Sequence, residues 1–300
     1  MSGARISVYV PCYNAAPYLA RVLQGIFAQT LPADEVIVVD DGSRDGSREI
    51  AGRFPVTLIC HDQNRGLAAA RNTAVKAARN ELVAALDSDV VPDADWLERL
   101  APHFDDQRVA LGGGKLVEAV DRTVADRWRA VHMRQHWGDS PLENPSTVFG
   151  ANTMLRRSAA LEAGGYDERM RTNGEDGYIH GLLRRRGWKS FYEPAAVGRH
   201  LREDTVETAL ETFWRYRPRF PDVLTVSSAA RLLRFEAHCS ARAVWWDVRD
   251  RRWALLGMDA LMLPVAFRSD LRAWRSKREP KLQPSAARSQ RITGQEAASR

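Results

Sequence analysis

From residue 5 the chain alternates short β-branched runs with stretches whose apolar residues recur every three or four positions. Ile6-Ser7-Val8-Tyr9-Val10 reads as a strand that Pro11 interrupts. Leu19, Val22, Leu23, Ile26 and Phe27 then share one face of a helix that starts near Pro17. Glu35 to Val39 is almost wholly apolar, as expected of a parallel strand covered on both faces. Val56 to Cys60 predicts a third strand, Gly66 to Arg79 an alanine-rich helix, and Leu82 to Leu86 a fourth strand. A helix follows around Trp96 to Phe104. Val109 to Val117 predicts a fifth strand whose Gly112-Gly113-Gly114 run marks a bulge or a close approach. Such alternation with short connections predicts an α/β fold, a Rossmann-like, mainly parallel sheet flanked by helices.

The pattern then loosens. Residues 119–148, with Trp128, His132, His136 and Trp137, read as a mobile insertion or a helix pair. Order returns over 149–200, and 201–275 read as helical with many aromatics. From Ser276 onward Lys, Arg, Ser, Gln and Ala carry no apolar period, which predicts a basic disordered tail. The expected organisation is a catalytic domain over 1–210, a helical extension over 211–275 and the tail over 276–300.

Composition fits a soluble globular chain: 44% hydrophobic and 27% charged over 300 residues excludes wholesale disorder and fibrous classes. Cys12, Cys60 and Cys239 are odd in number and too far apart for metal-ligand spacing. They read as reduced thiols in the cytoplasm. No leader-like segment precedes Ile6, and no uncharged apolar run reaches the roughly 18–20 residues that cross a bilayer. The net charge of +6 is unevenly placed: residues 1–200 hold 25 Lys and Arg against 26 acids, residues 201–300 hold 19 against 12. The basic character therefore belongs to the last third.

In open α/β sheets ligands collect at the carboxyl ends of strands. That rule selects Pro11 to Asn14, Asp40 to Ser43, His61 to Gly66 and Asp87 to Asp89. Asp40-Asp41-Gly42-Ser43 can accept hydrogen bonds from a base or a ribose, or can cap the next helix. Asp87-Ser88-Asp89 follows a buried strand, where two carboxylates can hold Mg²⁺ or Mn²⁺ with its attached phosphates; the alternative is an Asx turn. Asn173-Gly174-Glu175-Asp176-Gly177 precedes a helical run. Asn173 as N-cap would put both acids in the first turn, where capping accounts for one and leaves the other available as a base.

Together these segments resemble family 2 glycosyltransferases of the GT-A fold. Pro11-Cys12-Tyr13-Asn14, Val38 to Ser43, Asn64-Arg65-Gly66 with Ala70-Arg71-Asn72, Asp87-Ser88-Asp89, Gly150-Ala151-Asn152 and Gly174-Glu175-Asp176 occur in the family's order across roughly residues 5–210. The resemblance implies inverting transfer of a sugar from a nucleotide-diphosphate donor. It implies that Pro11, Tyr13 and Asp41 cradle base and ribose, with Asp40 nearby and Arg71 beside the nucleotide. Asp87 would meet the ribose, with Ser88 next to it. Asp89 would hold a divalent metal, Mn²⁺ or Mg²⁺, with Asp87 adjacent and His200 as a further ligand. Gly150 and Asn152 would line the sugar pocket. Asp176 would be the general base, and Glu175 would orient it or the acceptor. The acceptor could be a glycan, a lipid-linked molecule or a small molecule, in polysaccharide, cell-envelope or glycolipid assembly. Processive synthases of this family carry Gln-x-x-Arg-Trp; Glu211-Thr212-Phe213-Trp214-Arg215 does not match, which implies one sugar per event.

Two other readings compete. A sugar nucleotidyltransferase would carry a glycine-rich basic loop after the first strand, unlike Pro11 to Asn14. A non-catalytic nucleotide-sugar-binding protein would not need Asp41, Asp89 and Asp176 intact. In the last third, Trp245, Trp253, Leu261, Met262 and Phe267 lie among arginines between 245 and 275. This suits either peripheral contact with the inner face of a plasma membrane or a helix packed on the catalytic body. No nucleic-acid module accompanies the charge.

Overall fold

The computed structural model describes residues 5–170, 173–215 and 226–278. Of the expected tail over 276–300, residues 276–278 continue the last helix and 279–300 lie outside the described residues. The strands are β1 (Ile6–Cys12), β2 (Glu35–Asp40), β3 (Thr57–Cys60), β4 (Leu82–Leu86), β5 (Val90–Pro92), β6 (Val109–Glu118), β7 (Leu142–Glu143), β8 (Asn152–Arg156) and β9 (Lys189–His200). They form one sheet in the order β3-β2-β1-β4-β8-β6-β9-β5, with β7 on the flank of β9. The half made of β3, β2, β1 and β4 is parallel. β8 enters antiparallel to both β4 and β6, and β9 then runs parallel to β6.

The period-two alternation divides the core. Val8, Val10, Val36, Val38 and Ala84 face one apolar cluster, and Tyr9, Ile37, Val39, Val83 and Ala85 the other. Helices α1 (Leu19–Phe27) and α4 (Trp96–Leu100) cover the first face; α3 (Leu67–Ala77), α6 (Arg157–Glu162) and α7 (Glu175–Arg185) cover the second. Coverage on both sides is why β2 shows no polar face. Pro11 does not end β1. Its ladder with β4 stops at Tyr9–Ala85, so beyond that point proline's missing N–H costs no hydrogen bond, and the strand continues beside β2 to Cys12.

The glycine run in β6 proves to be both a bulge and a close approach. The β6–β9 register shifts between Gly114 and Lys115. A Cβ on Gly112 would overlap the Phe191 ring, and one on Gly114 would overlap the Ala196 carbonyl oxygen. Because backbone blocks position 114, Gly114→Ala is expected to cost about 1–3 kcal/mol by overpacking. A melting temperature within a degree of the parent would show that the bulge yields freely.

The segment read as mobile is ordered at its start. Thr123 and Asp126 form a reciprocal capping box on α5 (Val124–His132), and Trp128 is fully buried. α5 packs with α8 (Val206–Arg215) and α10 (Leu256–Arg278) in a third apolar cluster that includes Leu210, Trp214, Met258 and Met262. α9 (Val226–Arg249) packs along α10 and adds Ala243 to that cluster. α8 runs through residue 210. Of the apolar residues between 245 and 275, Leu255, Met258 and Met262 are core, whereas Trp245, Trp253 and Phe267 are exposed. Among the described residues no helix is long and apolar enough to cross a membrane.

Candidate functional site

The carboxyl ends of β1, β2 and β4 open on one edge of the sheet. At the end of β2, Asp40 turns inward to Arg48 Nε at 2.5 Å and accepts from the Ser43 amide. It is 1% exposed, so the expected place near the nucleotide is corrected: its charge anchors the short helix α2 (Ser47–Ala51). Asp41 accepts from the amides of Arg65 at 2.8 Å and Gly66 at 2.7 Å and from His61 Nδ1 at 2.6 Å. It thereby fixes the loop that leads into α3. Gly42 takes φ +78°, and a Cβ there would press on the Gln63–Asn64 backbone, so this turn requires glycine. Pro11 is buried and Tyr13 is half exposed, next to this loop in the chain.

Arg71, on α3 and 1% exposed, is the hub. Its Nη2 donates to Asp87 Oδ1 at 2.8 Å and its Nη1 to the Gly150 carbonyl at 2.8 Å. Its Nε lies 3.5 Å from Glu175 Oε1, and its guanidinium sits over the Tyr166 ring. Burial pushes the Asp87 carboxyl upward, the Arg71 charge offsets part of that, and Asp89 adds to the rise. Glu175 is raised for the same reason, burial against a partial offset from Arg71. Four segments far apart in sequence thus converge on one cation.

Asp89 is half-buried, and among the described residues no protein donor meets its carboxylate. Its own carbonyl accepts from the Leu201 amide at 2.8 Å, which ties the β4 end to the end of β9 and its terminal residue His200. The Nδ1 of His200 lies 3.5 Å from Glu118 Oε1, too far to be satisfied. Burial works against a charged imidazole there, but Glu118 and the Asp89 charge outweigh it and hold the histidine pKa above its usual value. A bare carboxylate beside a histidine whose Nδ1 is buried and unsatisfied suits a hard divalent cation. The expected set of Asp87, Asp89 and His200 is not preassembled, however. Among the described residues the ligand triple within 4.8 Å is His132, Asp247 and Asp259, where α5, α9 and α10 meet. Asp87 is committed to Arg71, which leaves Asp89 as the free carboxylate.

At the start of α7 the N-cap is Gly174, at φ +86°, rather than Asn173, whose side chain instead donates to the Arg215 carbonyl. Glu175 and Asp176 do lie in the first turn. Glu175 is 3% exposed and faces Arg71. Asp176 points the other way: its Oδ2 accepts from the Gly150 amide at 3.0 Å and its Oδ1 from the Gly177 amide at 2.7 Å. Gly150 is wedged between the two, since a Cβ there would lie 3.0 Å from the Asp176 Cβ and 3.1 Å from Arg71 Nη2. Asp176 also lines a cavity of about 650 Å³ walled by Phe149, Phe213, Trp214, Phe235 and Arg242.

Asn152 does not line a pocket. It is 0% exposed, accepts from Trp96 Nε1 at 2.6 Å and donates to the carbonyls of Lys115 and Ala196. Every polar atom is used to pin β8, β6 and β9 together, so the sugar-pocket role falls away. Ser88 is half-buried between the two acids. Sequence reasoning missed Glu118, which faces His200 and Arg129, and the aromatic walls from α8 and α9. The only signal available for the walls was their aromatic density after residue 210.

A profile described as "Glycosyl transferase family 2" matches residues 7–163. A "Pre-mycofactocin glycosyltransferase" of Mycobacterium tuberculosis is 35% identical over 204 residues, covering 65% of this chain and 42% of the relative. "Glycosyltransferase AglE" of Haloferax volcanii is 30% identical over 180 residues, 57% of this chain and 58% of the relative. The chain spans about half the length of the curated relatives it matches. Among solved structures, the mannosyltransferase PcManGT from Pyrobaculum calidifontis in complex with GDP-Man and Mn²⁺ superposes with a TM-score of 0.55 at 21% identity, covering 89% of this chain and 87% of that one. At that identity the likeness is one of fold, the GT-A type.

Proposed function

This chain belongs to glycosyl transferase family 2, and from that premise we propose that it moves a sugar from a nucleotide-diphosphate donor to an acceptor hydroxyl with inversion, one sugar per event. The observation that carries this reading is the joining of Asp87, next to the bare Asp89, to Asp176 through Arg71 and Gly150, beside the 650 Å³ cavity. Donor and acceptor ends of a single displacement thereby share one rigid frame. The complex of the mannosyltransferase neighbour with GDP-Man and Mn²⁺ supports the donor class. A nucleotide-sugar donor and three free cysteines agree with a cytoplasmic setting, in cell-envelope, polysaccharide or glycolipid assembly.

In this reading Pro11 and Tyr13 form the cradle for base and ribose, next to the loop that Asp41 fixes. A divalent cation would be held by Asp89 with His200 and would neutralise charge developing on the diphosphate. Asp176 accepts the proton of the acceptor hydroxyl as its oxygen bonds to the anomeric carbon. The bond from that carbon to the diphosphate oxygen breaks, and the electron pair leaves with the diphosphate. Two backbone amides fix the Asp176 carboxylate toward the cavity. Glu175, sealed beneath it, acts through Arg71 and does not touch the acceptor.

Calorimetry with a panel of nucleotides, with and without Mn²⁺, tests the donor half. Asp89→Ala is expected to abolish the gain in nucleotide affinity that Mn²⁺ confers while leaving the metal-free affinity in place. An unchanged metal response would remove Asp89 from the metal site. Donor hydrolysis and product release across nucleotide sugars then test the transfer itself.

A further inference from the structure

Thirteen large apolar side chains are exposed among the described residues, and nine of them belong to α9, α10 or the turn between these helices. Exposed apolar area concentrated this way marks an interaction surface. α9 carries three stripes. Glu236, Ser240, Ala243 and Asp247 are buried. Phe235, His238, Cys239 and Arg242 line the cavity that holds Asp176. Leu233, Val244 and Val248 recur on a third side and face solvent. Trp245, Trp253 and Phe267 extend that exposure, at 57%, 60% and 69%.

The charge around these residues identifies the occupant. Residues 226–272 hold eight arginines against five acids. Three of those acids, Glu236, Asp247 and Asp259, are buried, so the surface is more basic than the count. Arg249 and Arg252 are answered by Asp250 and Asp247, and Arg268 and Arg272 by Glu207 and Glu211. Among the described residues no carboxylate pairs with Arg231, Arg234, Arg242 or Arg251. Arg249 lies over the Trp245 ring at 5.0 Å and Arg242 over Trp246 at 4.8 Å, a pairing of aromatic body and cationic head suited to the boundary between acyl chains and headgroups. A second copy would meet this surface with the same positive charge, whereas a layer of lipid phosphates complements it.

We propose that the exposed surface of α9 and α10 seats on an anionic membrane leaflet, with Trp245, Trp253 and Phe267 in the headgroup boundary and the unpaired arginines on lipid phosphates. Because α9 also lines the cavity beside Asp176, seating places that cavity at the membrane and favours an acceptor carried by a lipid. The seating goes beyond the transfer reading and is independent of it, since vesicle binding needs no donor.

Flotation of the full chain with vesicles of phosphatidylcholine alone, or containing phosphatidylglycerol, tests the proposal. The chain is expected to float with the phosphatidylglycerol vesicles, to stay behind with phosphatidylcholine alone, and to be released by high salt. The double variant Trp253→Glu/Phe267→Glu is expected to lose partitioning at least about tenfold. Its nucleotide affinity by calorimetry should match the parent, which shows that it is folded. Failure to float with either vesicle, or equal flotation of parent and variant, overturns the proposal. So does light scattering that finds a dimer which the double variant splits into monomers, because the surface would then belong to a second copy. Loss of transfer in a chain that still floats would count against the reaction and not against the seating.

Discussion

Asp176→Asn is expected to lower turnover by about a hundredfold or more, the ordinary worth of a general base, while donor affinity stays within a few-fold of the parent. The substitution is chosen because asparagine keeps one oxygen to accept from the Gly150 amide at 3.0 Å and gives up only the contact with the adjacent Gly177 amide. The shape of the cavity wall is therefore preserved, and what is lost is the capacity to take a proton. The split between affinity and turnover is the diagnostic part. A structural residue would lose both together, and a donor ligand would lose affinity first. Single-turnover kinetics with saturating donor measure it, and near-parental turnover would show that the proton goes elsewhere. Glu175→Gln makes a useful contrast. Glu175 is buried against Arg71, so its loss should appear mainly as reduced stability.

Arg71→Met is expected to destabilise the fold by about 3–5 kcal/mol, because removing one partner leaves buried acids uncompensated. Both Asp87 and Glu175 would lose their cation, and the Gly150 carbonyl would lose its donor. Methionine fills comparable space, so a cavity is not the cause of the loss. For a chain of this size the melting temperature should fall by roughly 10 °C. The pH dependence supplies the second readout. Burial already holds the Asp87 and Glu175 carboxyls above their ordinary values, and without Arg71 both should rise further. A raised carboxyl favours the folded state when protonated, so the variant should recover stability as the pH falls and lose it as the pH rises through those values. Denaturant unfolding at several pH values measures this. A loss that does not vary with pH would show that the acids are not what Arg71 neutralises.

The first four strands and the acids at their ends were legible because β1, β2 and β4 are covered on both faces, and continuous apolar runs say so directly. Beyond β6 the local signal fails for physical reasons. β8 begins with Asn152, a polar residue whose burial depends on partners about forty positions away, at Lys115 and Ala196. The resemblance implies a sugar pocket at Asn152, whereas its neighbourhood in space is the sheet, through partners that the local sequence does not reveal. The capping box on α5, by contrast, is written locally in Thr123 and Asp126, three positions apart. In α9 three stripes share one helix, so no single apolar period stands out.

The position of β8 has a consequence for synthesis. β4 emerges from the ribosome long before residues 152–156, which complete the sheet against it. At about 5–20 residues per second the interval is roughly 4–14 s. Throughout that time the nascent chain offers Leu82–Leu86, a wholly apolar strand, as an open edge ready to pair with any other chain. Codons that slow translation between these two strands should therefore raise the insoluble fraction during expression, and early trigger-factor-like protection should lower it, with no change in the stability of the finished protein.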